Sequence, residues 1–343
     1  MHGRRRRGIG RRMRRILVTG ARGQIGVELT LALRKRYGAA RVVASDLAEA
    51  QPSDDLYERL DCTQAEALAD LMRRRDIEVV YHLAALLSAV AEDRPQAAWS
   101  VNMSGLYNVL EAARRFGCQV FFPSSIAAFG PSTPRRGTPQ ITIQRPTTIY
   151  GVTKVAGELL CDYYATRFGV DARGLRLPGL VSSAAPPGGG TTDYAVEMFR
   201  AAARRKRYSC FLAAETRLDM MYMPDATRAI MELMDAEPER LRFRNAYNVT
   251  GMSVTPDEIA AEIRKHAPSF AVDYRIDPLR QAIADSWPQS LDANAAREDW
   301  GFAPRFDLAA MTRDMLARLG AATDPFDDNS AFAGTKSSMY LEG

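Results

Sequence analysis

The fold is decided by the stretch Arg14-Arg15-Ile16-Leu17-Val18-Thr19-Gly20-Ala21-Arg22-Gly23-Gln24-Ile25-Gly26-Val27-Glu28-Leu29. An apolar run of strand length meets three glycines spaced three apart, and these open a helical pattern. Gly20 allows a sharp turn off the strand, Gly23 lets the backbone approach a pyrophosphate, and Gly26 allows close packing of helix on strand. The helix N-terminus then offers free N–H groups and a positive dipole end to phosphates. The spacing therefore predicts a dinucleotide-binding unit.

A second apolar run, residues 41–46, ends in Asp46, 20 residues beyond Gly26. A carboxylate at that place meets the ribose hydroxyls of a bound adenosine. It would also repel a ribose 2′-phosphate, so the predicted cofactor is NAD rather than NADP. Three glycines alone are a weak signal, and the other interpretation of Asp46 is a solvated acid at a strand end. The two features together favour the cofactor site.

Composition indicates an ordinary globular protein. The chain has 343 residues, of which 46% are hydrophobic and 25% charged. No apolar run approaches the roughly 20 residues that a membrane span needs. The four cysteines are scattered without CxxC spacing, at positions 62, 118, 161 and 210. We therefore expect neither a disulfide framework nor a metal site, and a reduced, cytoplasmic setting.

The net charge of +5 is concentrated at the start of the chain. Eight arginines and no acid lie within residues 1–15, so the remainder is mildly acidic. A basic arm can contact nucleic acid or a membrane, or serve in targeting. This arm lacks the apolar stretch of a secretory signal and the serines usual in a transit peptide. We expect residues 1–13 to be a disordered extension, with no nucleic-acid or membrane partner.

Strand and helix patterns alternate after the first unit. Strands are predicted around 60–62, 77–85 and 120–125, and helices over 64–75 and up to Phe116. This alternation predicts an α/β fold, a Rossmann-type doubly wound parallel sheet with ligands beyond the carboxyl ends of the strands. We expect that sheet to use residues 14–175 and a returning segment near 243–250. Residues 176–320 would form mainly a smaller, mostly helical substrate lobe, followed by a tail, 321–343.

Two strand ends carry polar residues with two interpretations each. Asp61 can hydrogen-bond the adenine amino group, or it can cap a helix, since Thr63 and Glu66 follow in capping-box spacing. His82 ends a buried strand beside the presumed cofactor groove. Its two interpretations are a catalytic and a structural role, and we interpret it as structural. The small residues after it allow close approach to a cofactor.

Tyr150-Gly151-Val152-Thr153-Lys154 is the second informative stretch, and an apolar-periodic helix follows it. Tyrosine and lysine at i and i+4 lie on one helix face. A phenol has a pKa of about 10, but a nearby ammonium and NAD⁺ stabilise the phenolate and lower that pKa. A serine from another strand end, Ser124 or Ser125, can hold the substrate oxygen. Alone this spacing is most often a surface pair; beside the glycine fingerprint it predicts a general base.

From about residue 14 to 320 the chain resembles the extended short-chain dehydrogenases/reductases, a family that includes nucleotide-sugar epimerases. The matching motifs are 20–26, Asp61, His82-Leu83-Ala84-Ala85, Asn102, Ser124-Ser125 and Tyr150-x-x-x-Lys154. By this resemblance Ser125 is the catalytic serine, with Ser124 a second candidate, beside Tyr150 and Lys154. The cofactor site that the resemblance implies consists of Gly20, Gly23, Gln24, Ile25, Gly26, Asp46, Asp61, Cys62, Leu83, Ala84, Ala85, Asn102, Tyr150, Lys154, Leu177 and Pro178.

Further blocks resemble the branch of that family that oxidises L-threonine. They are residues 123–131, 176–182, 188–195, 220–226 and 285–288. The branch implies NAD-dependent oxidation of the threonine β-hydroxyl and a homodimer joined through helices that flank the active site. The implied substrate-binding residues are Ser88, Ser125, Tyr150, Gly188, Thr191, Thr192 and Trp287. The arginine-rich start and the tail after about residue 321 depart from the resemblance.

The residues themselves support a small substrate. Residues 186–192 read Pro-Pro-Gly-Gly-Gly-Thr-Thr and lead into an apolar helix pattern. The glycines give hinge freedom, and the hydroxyl and N–H groups of Thr191 and Thr192 suit a carboxylate. A plain linker between lobes is the alternative interpretation. Trp287 either closes the pocket or packs the smaller lobe.

Three other functions are weighed against this one. A nucleotide-sugar 4-epimerase or reductase would need arginines for a diphosphate, and Arg217 is available. A sugar dehydratase is disfavoured because Ile126 and Ala127 provide no acid–base pair. A non-catalytic NAD-sensing regulatory protein is the alternative from another class, and the presence of Ser125, Tyr150 and Lys154 together argues against it.

Overall fold

The computed structural model describes residues 14–51, 55–185 and 187–321. The predicted basic extension, residues 1–13, lies outside the described residues, as do Pro186 and all of the predicted tail except residue 321. Within the described part, no helix is both long and apolar enough to cross a membrane.

The strands are β1 (Ile16–Thr19), β2 (Val42–Asp46), β3 (Tyr57–Arg59), β4 (Val79–His82), β5 (Gln119–Ser125), β6 (Ala172–Leu177), β7 (Gly179–Val181), β8 (Tyr208–Cys210), β9 (Leu218–Tyr222), β10 (Tyr247–Asn248), β11 (Met252–Val254) and β12 (Val272–Tyr274). The helices are α1 (Gln24–Tyr37), α2 (Ala65–Arg74), α3 (Ser88–Asp93), α4 (Pro95–Trp99), α5 (Gly105–Phe116), α6 (Ile149–Phe168), α7 (Asp193–Ala203), α8 (Met223–Asp235), α9 (Pro256–Arg264), α10 (Pro278–Asp285), α11 (Asn294–Trp300) and α12 (Leu308–Ala321).

Seven parallel strands form the main sheet in the order β10-β6-β5-β4-β1-β2-β3. The order reverses between β1 and β4, so a crevice opens where the first connections leave in opposite directions. The predicted Rossmann-type parallel sheet is confirmed. β10, which pairs with β6, lies in the predicted returning segment.

Alternate side chains of each strand enter two separate apolar layers. Ile16 and Val18 pack with residues of α1 and α8 on one face, whereas Leu17 packs with residues of α2 and α5 on the other. This alternation is the two-residue period of a strand buried on both faces. The sheet is therefore covered by helices on both sides, and ligands can enter only at its edges.

Three local predictions need correction. The third strand is Tyr57–Arg59, so residues 60–62 follow it rather than form it. The capping box predicted from Thr63 and Glu66 does not form, because Gln64 is the N-cap of α2 and makes no side-chain cap bond. The long helix predicted up to Phe116 is divided by a bend at Arg94 and by a π-helical turn, Ser100–Ser104.

A smaller lobe lies beside the carboxyl edge of the main sheet. It contains the sheets β11-β9-β7 and β12-β8, with α7, α9, α10 and α12. Two helices from the range 176–320 nevertheless pack with the main sheet and its helices, because α8 packs on α1 and α11 packs on β10. The chain thus passes between the lobes more often than a single boundary at residue 175 describes.

Candidate active site

The glycine loop between β1 and α1 has the conformation that its sequence predicts. Gly20 has φ +68°, and a Cβ there would lie 2.6 Å from the backbone nitrogen of Ala84. A Cβ on Gly26 would lie 2.2 Å from the carbonyl oxygen of Gly20. Only glycine fits either position, and the loop after β4 is thereby brought against the glycine loop.

The N-terminus of α1 suits a bound phosphate. Gly23 is its N-cap and supplies no side-chain bond, and the first turn holds no acid. The first N–H groups, those of Gln24, Ile25 and Gly26, have no partner within the helix and carry the positive end of its dipole. These donors fit the pyrophosphate of a dinucleotide, and they lie at the carboxyl end of β1.

Asp46 lies beside this loop at the end of β2. Its carboxylate accepts hydrogen bonds from the Arg22 N–H at 3.0 Å and from the Leu47 N–H at 2.8 Å. Each oxygen keeps a lone pair for a ribose hydroxyl. The position fits the predicted preference for a ribose without a 2′-phosphate.

Asp61 makes local hydrogen bonds with Thr63. One of its oxygens accepts bonds from the N–H and the hydroxyl of Thr63, both at 2.8 Å. Burial raises the pKa of the neighbouring Cys62 thiol to about 12, so the thiol stays neutral. A Cβ at Gly105 would come within 2.7 Å of the Cys62 sulfur, so α5 closes one wall beside it.

Asn102 fastens the loop after β4 to α6. Its Oδ1 accepts a bond from the Leu86 N–H at 2.8 Å, and its amide donates to the Leu86 carbonyl and to Thr153, each at 3.2 Å. Leu83, Ala84 and Ala85 precede that anchored residue. The side chain of Asn102, in the π-helical turn Ser100–Ser104, therefore fixes the end of the loop that follows β4.

His82 is buried at the end of β4. Its Nδ1 lies 2.8 Å from the hydroxyl oxygen of Thr19 on β1. Burial and then the charge of Lys154 lower its pKa to about 3, so the imidazole is neutral at physiological pH. This environment supports the structural interpretation of His82.

Ser125, Tyr150 and Lys154 meet at the end of β5. Tyr150 lies in the first turn of α6, and its phenol hydrogen-bonds with the Ser125 side chain. Lys154, one turn later, has its Nζ 5.3 Å from the centre of the Tyr150 ring. The same ammonium donates to the carbonyl of Pro123 at 2.7 Å. The geometry brings together three of the four residues predicted to be catalytic.

Burial governs both titrating groups of this trio. It raises the pKa of Tyr150 to about 12, and the hydrogen bond with Ser125 opposes that rise. It lowers the pKa of Lys154 to about 8, and the charge of Glu158 opposes that fall. The lowered phenol pKa predicted from the sequence is not a property of the protein alone, because desolvation outweighs the hydrogen bond with Ser125.

Ser124, the fourth predicted catalytic residue, points elsewhere. It is buried, and its hydroxyl donates to the carboxylate of Glu158. The two serines thus contact different parts of α6, Ser125 the first turn at Tyr150 and Ser124 the middle of the helix at Glu158. Glu158 had no predicted role, although its place at i+4 from Lys154 was a signal that the two share a helix face.

The predicted substrate loop meets the loop after β4. The hydroxyls of Ser88 and Thr191 lie 3.1 Å apart, and the Thr191 N–H donates to Ser88 at 3.3 Å. Asp193 holds the glycines from the other side, accepting the N–H groups of Gly189 at 2.7 Å and Gly190 at 2.8 Å. The Thr191 N–H that the sequence offered to a substrate carboxylate is therefore used by Ser88, and Asp193, which had no predicted role, holds the two glycines.

Known proteins match this chain over most of its length. The family described as NAD dependent epimerase/dehydratase matches residues 16–250. The chain belongs to this family. An uncharacterized epimerase/dehydratase of Staphylococcus haemolyticus is 53% identical over 308 residues, which are 89% of this chain and 97% of that protein.

Solved structures are similar over the same length. The L-threonine dehydrogenase of Clostridium difficile has 50% identity and a TM-score of 0.88, covering 91% of this chain and 100% of that one. A monomeric L-threonine 3-dehydrogenase from a metagenome has 47% identity and a TM-score of 0.87, covering 89% of this chain and 98% of that one. The resemblance read from the sequence motifs is confirmed.

Membership of the NAD dependent epimerase/dehydratase family establishes NAD(H) as the cofactor. The observations on this chain fit that group, because the uncapped α1 terminus, Asp46 and the closely packed Gly20 line one groove. Leu177 ends β6 beside Ser125, and Pro178 follows it into β7, which extends the groove toward the smaller lobe. Among the described residues no group of histidine, cysteine, aspartate and glutamate is suited to hold a metal.

The three remaining predicted substrate residues are Thr192, Trp287 and Gly188. A Cβ on Gly179 would come within 2.6 Å of the Thr192 side chain, so Thr192 lies against the start of β7. Trp287 is buried and shares an apolar cluster with Tyr150 and Ile126. Its indole Nε1 has no hydrogen-bond partner among the described residues. Gly188 lies near Leu87, since a Cβ on Gly188 would lie 3.3 Å from the Leu87 side chain.

Proposed function

We propose that this protein catalyses NAD-dependent oxidation of L-threonine at its β-hydroxyl, giving 2-amino-3-ketobutyrate. The observation that carries the proposal is the meeting of Ser125, Tyr150 and Lys154 with a glycine–threonine loop that rests on Ser88. The similarity to L-threonine dehydrogenases at about half identity over most of both chains supports the same substrate.

Tyr150, Ser125 and Lys154 have different roles in this reaction. Tyr150 accepts the proton of the substrate hydroxyl, since its phenol hydrogen-bonds with Ser125 at the end of β5. Ser125 hydrogen-bonds that substrate oxygen and holds it in line with the phenol. Lys154 provides positive charge beside the phenolate and holds the nicotinamide ribose. NAD⁺, when bound, supplies the acceptor for the hydride that leaves the β-carbon.

The carboxylate of the substrate is assigned to Gly188, Thr191 and Thr192. Thr192 precedes α7 and makes no side-chain cap bond, which leaves its hydroxyl for a ligand. Thr191 is buried against Ser88, so this pair fixes the loop and positions the N–H group of Thr192. Trp287 closes the apolar side of the pocket, where the threonine methyl group would lie.

A nucleotide-sugar 4-epimerase or reductase is the second candidate within the family. Its diphosphate would need a cationic anchor in the smaller lobe, and Arg217 was the predicted residue. The guanidinium of Arg217 donates to Glu258 at 2.5 Å and to the carbonyl of Ser253 at 2.7 Å. Because these bonds hold the arginine to its own lobe, its environment favours the small substrate.

The test is a screen of purified protein for NAD⁺ reduction, followed by absorbance, with L-threonine and UDP-sugars in parallel. Turnover of L-threonine alone is the expected result. Turnover of a UDP-sugar without threonine would replace the proposal with the epimerase or reductase function. Binding of NAD⁺ without turnover of either would favour the regulatory alternative.

We also propose a homodimer. Large apolar side chains stay exposed on α4, α5 and α6: Trp99 at 49%, Tyr107 at 50%, Leu159 at 65% and Tyr163 at 54%. α5 and α6 pack side by side, so these residues form one face beside the active site. A second copy of the chain would cover that face, because an exposed apolar patch of this kind marks an association surface.

A further inference from the structure

Glu158 is a buried carboxylate that the mechanism above does not use. It lies on α6 one turn after Lys154 and is 3% exposed. It accepts bonds from Arg176 Nε at 2.9 Å and Nη2 at 2.7 Å, from Gln144 at 2.9 Å, and from the hydroxyl of Ser124. Burying a carboxylate is costly even when it is paired, so a site that keeps one invites a specific explanation.

Through Ser124, Glu158 holds the end of β5. The two neighbours of Ser124 in the strand are the groups that contact the catalytic pair. The carbonyl of Pro123 accepts the bond from the Lys154 ammonium, and the side chain of Ser125 hydrogen-bonds with Tyr150. A single carboxylate therefore fixes the strand segment on which both contacts depend.

Glu158 also lies one helical turn from Lys154 on the same face of α6, where its charge favours the ammonium. The groups that face this lysine are Tyr150, Glu158 and Cys161 on α6, and His82 on β4. Burial keeps both His82 and the Cys161 thiol neutral, by lowering the pKa of the first and raising that of the second. Burial also disfavours the Lys154 ammonium, and Glu158 is the strongest influence that favours it.

We propose that Glu158 is a positioning residue for the reaction. It keeps the buried Lys154 in its ammonium form and holds the end of β5 against Tyr150 and Lys154. Arg176 holds this carboxylate in place through two hydrogen bonds. The inference rests on the proposed roles of Tyr150 and Lys154, and it does not depend on which alcohol is oxidised.

The charge of Lys154 can be measured directly. The chain has five lysines, at positions 35, 154, 206, 265 and 336, so ¹³C-lysine NMR can resolve each signal, and Lys154→Met assigns the one of interest. Glu158→Gln should lower the pKa read from that signal by about one unit or more. The matched control is Glu262→Gln, which removes a glutamate beside Lys265 on another helix and should leave the Lys154 titration in place. An unchanged Lys154 titration in Glu158→Gln overturns the proposal.

Turnover provides a second readout. At pH about 8, Glu158→Gln should lower kcat by roughly tenfold or more, with the rising limb of the pH–rate profile displaced to higher pH. The displacement follows because a neutral Lys154 no longer stabilises the phenolate. Glu158→Asp keeps the charge and should restore the wild-type limb and part of the rate. A loss of rate without displacement of the limb would show a purely structural role and contradict the proposal.

Removing Glu158 alone leaves the Arg176 charge unpaired. The thermal midpoint of each variant is therefore measured together with its kinetics. If Glu158→Gln does not fold, Glu158→Gln/Arg176→Met removes both charges and takes its place with the same expected results. A wild type that fails to oxidise L-threonine would reject the proposed function. The NMR comparison would still decide the role of Glu158, so the two failures are distinguishable.

Discussion

The hydroxyl oxygens of Ser88 and Thr191 lie 3.1 Å apart although 103 residues separate them in the chain. Ser88 begins α3, directly after the loop that packs on the glycine fingerprint, and Thr191 ends the glycine run before α7. The contact therefore joins the cofactor side of the groove to the proposed substrate loop. Because both residues are buried, their pairing fixes where Thr192 can meet a ligand.

Thr192→Ala should raise KM for L-threonine by about tenfold or more. A carboxylate would lose one hydrogen bond, which is worth roughly 1.5–3 kcal/mol when one partner is charged. The affinity for NAD⁺ should barely change, because the α1 terminus and Asp46 hold the cofactor. Steady-state kinetics and NAD⁺ titration measure the two effects, with Thr166→Ala, an exposed threonine on α6, as the control. Unchanged threonine kinetics in Thr192→Ala would remove this residue from the site.

Tyr150→Phe should lower kcat by about 10²–10⁴-fold, the usual contribution of a general base. The ring and its packing remain, so the thermal midpoint and the NAD⁺ affinity should stay near those of the wild type. Single-turnover absorbance measurements with L-threonine test the rate. A variant that keeps more than about a tenth of the wild-type kcat would show that another group takes the proton.

Ser125→Ala should mainly lower the reaction rate, whereas Ser124→Ala should mainly lower the stability of the protein. Ser125→Ala removes the hydroxyl beside Tyr150 and should lower kcat strongly at nearly constant stability. Ser124→Ala leaves the buried Glu158 without one donor and should lower the free energy of unfolding by about 1–3 kcal/mol, with a smaller loss of rate. Parallel kinetics and denaturant unfolding separate the two. A larger kcat loss in Ser124→Ala would reverse the assignment of the catalytic serine.

Asp46→Ala should narrow the preference for NAD⁺ over NADP⁺. The wild-type carboxylate accepts ribose hydroxyls and repels a 2′-phosphate, and the substitution removes both effects. The measurement is kcat/KM for each cofactor at saturating L-threonine. Equal use of the two cofactors by the wild type would show that Asp46 does not set the choice.

The mass in solution tests the proposed dimer. Light scattering should give twice the chain mass of 37.9 kDa for the wild type, and Leu159→Glu should give the single-chain mass because a charge then enters the apolar face. A wild type with the mass of one chain would contradict the proposal and would match the monomeric enzyme from a metagenome.

The sequence by itself determined the sheet and the place of its ligand edge. Short-range signals are sufficient there, because the φ of Gly20, the approach at Gly26 and the two-residue strand period are properties of neighbouring residues. The spacing of Tyr150 and Lys154 on α6 is equally local, and the helix has the predicted start. The bounds of the third strand were predicted wrongly, because β3 has only three residues and therefore little sequence pattern. It pairs only with β2 at the sheet edge.

Only the tertiary structure decided which serine faces Tyr150 and what surrounds the catalytic lysine. Ser125 contacts Tyr150 in the first turn of α6, whereas Ser124 contacts Glu158 in the middle of the same helix, and a strand pattern alone does not specify this difference. Glu158 and Arg176 become partners through β6 lying beside β5, which brings residues 18 positions apart into a buried ion pair. The raised phenol pKa follows from the same packing, since desolvation depends on every element around a group and not on its neighbours in the chain.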